Sequence, residues 1–91
     1  MIRIVFDPKR GSTMPDAKIA DYVARMLRLG DTPENSIIIS VGSKAILEQF
    51  QTAIFKGDID LQNIVFVYNS TILETDQFGE FINLRSDFPK Y

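Results

Sequence analysis

Ile37-Ile38-Ile39-Ser40-Val41 is the stretch on which the fold turns. Four of its five residues are β-branched, none is charged, and Gly42 follows at once, so it is too short for a helix and reads as a strand. An apolar run with so little alternation is the pattern of a strand covered on both faces, which places it near the centre of a parallel sheet. Two further runs share this character, Ile2-Arg3-Ile4-Val5-Phe6 before it and Ile64-Val65-Phe66-Val67-Tyr68 after it.

The segments between these runs have helical periodicity. Ile19, Val23, Met26 and Leu27, joined by Ala20, form one apolar stripe, while Lys18, Asp21, Arg25 and Arg28 take the wet side. Asp21 and Arg25 stand one turn apart and can pair. Thr13-Met14-Pro15-Asp16 has the form of a helix start, with Thr13 as N-cap and Pro15 in the first turn; Gly30 suits the end, and residues 31–35 with Pro33 connect onward. The second helix is expected over residues 44–56, capped by Ser43 and closed by Gly57. Its stripe is Ile46, Phe50, Ala53 and Ile54 with Leu47 beside it, and Phe55 falls partly off that stripe.

Two helical crossovers between three apolar strands predict right-handed parallel βαβ units. The expected fold is α/β: a single small three-layer domain over residues 1–91, Rossmann-like or flavodoxin-like, with a β-α-β-α-β parallel core. Residues 71–75 and 80–84 can pair as a C-terminal β-hairpin about Asp76-Gln77-Phe78-Gly79, with a short helix over 76–84 as the alternative. Residues 85–91 read as a tail or subunit clasp.

Composition removes several function classes. The 91 residues contain no cysteine and no histidine, which eliminates disulfides, thiolate metal sites and the usual general base near neutral pH. No cofactor or metal is implied. The formal net charge of −2 argues against broad nucleic-acid binding. Residues 1–56 carry eight Lys or Arg against six acids, whereas residues 57–91 carry two against six, so the front is mildly basic and the end acidic. There is no spanning segment of roughly 20 apolar residues and no signal-peptide pattern at the start, so the simplest location is the cytoplasm. A chain of this size has a modest stability margin, which makes a homo-oligomer a sensible expectation.

In an open parallel sheet the loops after the strands share one rim, where ligands bind. Those loops offer Asp7, Lys9, Arg10, Ser12 and Thr13 from the first, Ser43 and Lys44 from the second, and Asn69, Ser70 and Thr71 from the third. Cations beside two helix starts suit a phosphate, sulfate or carboxylate. Structural duties compete for each residue: Ser43 and Thr13 as caps, Asp7 with Pro8 as a turn, Gly11 and Gly42 as relief of backbone strain. Neither a Walker loop nor a GxGxxG pattern is present. The first functional expectation is a non-enzymatic binding protein for a small anionic or nucleotide-like ligand.

The second is a protein–protein interaction module, a regulator or inhibitor of the sort a virus could encode. It would act through the acidic, aromatic final third, with Phe78, Phe88 and Tyr91 at the interface and Tyr68 and Phe81 completing the core. A minimal Asp7-dependent hydrolase or phosphotransfer enzyme stands last. A second positioned carboxylate, which such chemistry wants, is missing from the ends of the other two strands.

Overall fold

The computed structural model describes residues 1–30 and 34–82. In chain order these form β1 (Ile2–Phe6), α1 (Asp16–Gly30), β2 (Ile37–Val41), α2 (Lys44–Lys56), a single 3-10 turn (Leu61–Asn63), β3 (Ile64–Tyr68) and β4 (Thr71–Leu73). The sheet order is β2-β1-β3-β4. β1 pairs in parallel with both β2 and β3, Ile4 lying opposite Ile39 on one side and Phe66 on the other. β4 returns antiparallel to β3.

The α/β class and the parallel core agree with the sequence reading, but the layering does not. Ile2, Ile4 and Phe6 are buried while Arg3 between them is exposed. The parallel register puts Ile39, Val41, Ile64 and Phe66 on the same inner face. Ile19 and Val23 of α1 and Ile46, Phe50 and Ile54 of α2 join these strands in one core, and the two helices pack against each other. Among the described residues both helices therefore cover one face of the sheet, giving two layers instead of three.

That placement has a topological consequence. The β1–α1–β2 and β2–α2–β3 crossovers step in opposite directions across the same face, so they have opposite hands and one runs against the right-handed rule. The order 2-1-3 is shared with doubly wound sheets, but the winding onto two faces is not. A second correction concerns β2, which lies at an edge while β1 is central. Ile38 accordingly stands 73% exposed on the open face, beside Arg3 in the register.

Helix ends follow from local chemistry. Ser43 is extended, and its hydroxyl accepts a hydrogen bond from the Ala45 amide at 3.1 Å. Gly57 closes α2 in the left-handed region (φ 79°), its amide and that of Asp58 donating back to Ile54 O and Ala53 O. Both ends were expected. Thr13 is not the cap of α1, however: the helix opens at Asp16, and the Pro15 carbonyl accepts from the Lys18 amide. Gly30, still helical, is buried because α1 leans onto β1 there; a β-carbon would stand 2.3 Å from Ile2 Cγ1.

After β3 the chain makes two turns. Tyr68 pairs with Thr71, and the intervening Asn69 (φ 48°) and Ser70 (φ 62°) are both left-handed, as a type I′ hairpin turn requires. Glycine is the usual second residue of such a turn. Ser70→Gly is therefore expected to stabilise the protein by about 0.5–1 kcal/mol, read as a higher urea midpoint. No gain would mean that the serine carries no strain. A second turn follows, in which Thr75 bridges Phe81 and the Ile82 amide donates to Glu74 O at 2.8 Å; this pairing is narrower than the expected hairpin of residues 71–75 with 80–84, because residues 71–73 pair with β3 instead. Phe81 meets Phe66 edge-on at 5.3 Å and Tyr68 meets Phe6 at 5.9 Å, so both extend the core. Asn83 and Leu84 of the expected hairpin, the expected tail or clasp 85–91, and residues 31–33 of the expected connection lie outside the described residues. Among the described residues no helix is long and apolar enough to cross a membrane.

Candidate functional site

The rim is built first by the loop after β1. The Asp7 amide donates to Val41 O at 2.8 Å, extending the β1–β2 ladder by one bond. Its carboxylate oxygen Oδ1 accepts from the Lys9 amide at 3.0 Å and the Arg10 amide at 3.1 Å, while its carbonyl accepts from Gly11 N at 2.8 Å. These bonds make a closed Asx turn with Pro8 at its bend. The Asp7 carboxylate thus serves the backbone of its own loop.

Beyond the turn the chain crosses the carboxyl end of β2. The Ser12 amide donates to Ser40 O at 3.0 Å, and the Gly42 amide donates to Ser12 O at 2.9 Å. Val41 bonds toward β1, so Ser40 O and Gly42 N face the opposite edge, and Ser12 blunts that edge as a one-residue parallel bridge. The crossing needs two glycines. A β-carbon on Gly11 would lie 2.2 Å from the Val41 carbonyl carbon, and one on Gly42 would lie 2.6 Å from Gly11 O.

This apposition brings the first two sequence-predicted loops together. Lys9, Arg10, Ser12 and Thr13 are exposed on the first, and Ser43 and Lys44, both half-buried, open α2 on the second. The third loop stands at the same end of the sheet, since Phe6 is opposite Tyr68, but Asn69 and Ser70 are the central residues of the hairpin turn. The arrangement offers cations and hydroxyls for binding. Among the described residues no group of three or more Asp, Glu, His or Cys could hold a metal ion. Away from the rim, burial pushes the Tyr22 phenol on α1 above its ordinary value of 10.0, which keeps it neutral.

A second polar and aromatic cluster lies between α2 and the 76–79 turn. Phe78, predicted as an interface residue, is 54% exposed, and its ring centroid lies 6.2 Å from that of Phe55, which is 64% exposed. Phe88 and Tyr91, the other predicted interface residues, lie outside the described residues. The sequence reading missed Phe55 as a partner for Phe78, although its position off the apolar stripe of α2 was the available signal. No protein-family model, no curated protein and no solved structure matches the chain.

Proposed function

We propose that the protein is a non-enzymatic binding protein for a small anion, phosphate-bearing or nucleotide-like, held at the rim formed by the ends of β1 and β2. The observation that carries this reading is the Gly11–Gly42 apposition, which joins the loop bearing Lys9 and Arg10 to the start of α2. A loop pinned by its own hydrogen bonds loses little backbone freedom when its cations meet an anion, and a helix start adds backbone amides and a favourable dipole. Lys9 and Arg10 would supply the charge, with Ser12, Thr13, Ser43 and Lys44 as hydrogen-bonding neighbours. Asp7 would act through the turn it holds; Asn69 and Ser70 would border the site.

A thermal-shift panel of nucleotides, phosphorylated metabolites and sulfate, each at matched ionic strength, tests the reading. A ligand present at a hundredfold excess over its Kd stabilises the folded state by about 2.7 kcal/mol, a rise of roughly 10 °C or more for a domain of this size. Lys9→Ala and Arg10→Ala should each shrink that rise while leaving the unliganded melting temperature unchanged, because both side chains are exposed. The absence of a shift with every anion would overturn the proposal.

A further inference from the structure

We propose a second binding surface, the cleft between α2 and the 76–79 turn, whose occupant is an arginine-bearing segment of a protein partner. The cleft is a concavity of about 500 Å³ lined by Phe55 and Phe78 together with Glu48 and Glu80, and among the described residues none that lines it is cationic. One exposed phenylalanine is ordinary on a protein surface. Two exposed rings 6.2 Å apart and tilted by 41°, bordered by carboxylates in a hollow, form a cation-accepting pattern.

The surface is preformed. The Asp76 carboxylate accepts from Phe78 N at 2.8 Å and Glu80 N at 3.0 Å, and the Gly79 amide donates to Asp76 O. Gln51 Nε2 donates to Gly79 O at 2.8 Å, tying the turn to α2. Gly79 (φ 80°) rests so closely on α2 that a β-carbon would stand 2.2 Å from Gln51 O. Phe78 is thereby held beside Phe55 before any partner arrives, which lowers the entropic cost of binding.

The chemistry selects the occupant. A guanidinium is planar and weakly hydrated, stacks on aromatic faces, and offers a donor fork to a carboxylate, whereas a lysine ammonium does only part of this. Nucleic acid is disfavoured by the same carboxylates. This surface is separate from the rim, and neither proposal depends on the other.

The test is fluorescence anisotropy with a labelled peptide of alternating arginine and glycine, titrated against the full chain. Saturable binding is expected. Phe55→Ala and Phe78→Ala should each weaken it about three- to thirtyfold, and Phe55→Leu, which keeps apolar bulk without the ring, should weaken it similarly. Glu80→Gln should weaken binding and flatten its salt dependence, a lysine–glycine peptide should bind less well, and Arg3→Ala, on the outward side of β1, should leave peptide binding unchanged. All these side chains are exposed, and unchanged melting curves confirm that the variants fold. Binding that is absent up to about 1 mM, equal with a glutamate–glycine peptide, or indifferent to both phenylalanine substitutions would overturn the proposal. So would loss of the peptide signal to self-association detected by sedimentation.

Discussion

Phe50→Ala should sharply lower the stability of the folded protein. Phe50 is fully buried in the middle of α2, in the one core shared by both helices and the inner face of the sheet. Truncating such a ring removes its transfer free energy and leaves a cavity, at a cost of about 3–5 kcal/mol. A domain of this length has a total stability of roughly 5–10 kcal/mol, so the loss takes a large share of it. The comparison is with Phe55→Ala, one and a half turns along the same helix. Phe55 is 64% exposed, and its truncation should stay within about 0.5 kcal/mol. Urea unfolding of the two variants in parallel decides the matter. A Phe50→Ala midpoint close to that of the parent protein would mean that the helix presents a different face to the sheet.

The contrast between these two phenylalanines was legible in the sequence, because helical periodicity reports directly which side of a helix is apolar. Ile46, Phe50, Ala53 and Ile54 fall on one stripe with Leu47 beside it, and all five are buried. Strand identity was equally plain. The number of layers was not, and Ile38 shows why: an outward β-branched residue in a strand with one open face looks the same in sequence as one beneath a second helix. Val65 and Val67, which point outward from β3 in the register, deepen the resemblance. Handedness and strand order are set by which helix packs where, a long-range property with no local signature. At the rim, the sequence put the loops after β1 and β2 at one end of the sheet, where Ser12 bonds to Ser40 and Gly42, but it assigned the Thr13 cap wrongly. Pro15, which fits any of the first positions of a helix, left the start uncertain by two residues. The pairing of Phe55 with Phe78 needed the turn chemistry of Asp76 and Gly79 to be combined with the face of α2, and such combinations appear only in three dimensions.

Gly11→Ala should be strongly destabilising, although Gly11 lies in a surface loop. The added methyl would stand 2.2 Å from the Val41 carbonyl carbon and 2.4 Å from both Val41 O and Gly42 N. These are backbone atoms at the paired end of β2, so no rotamer change relieves the clash. The loop must lift, which sacrifices the two hydrogen bonds of Ser12 to Ser40 and Gly42. Overpacking of about 1–3 kcal/mol and two hydrogen bonds at about 1 kcal/mol each give a loss of roughly 3–5 kcal/mol. Gly57→Ala is the control that separates close approach from backbone strain. Gly57 has a positive φ of 79° but nothing within 4 Å of where its β-carbon would sit, so alanine there should cost only the left-handed penalty. That penalty is about 1–2 kcal/mol. Unfolding midpoints for the two variants should differ in that order. Equal midpoints would show that the loop does not bear on β2. If Gly11→Ala remains folded, it should also lose the anion-dependent thermal shift, because the same movement that relieves the methyl carries Lys9 and Arg10 away from the start of α2.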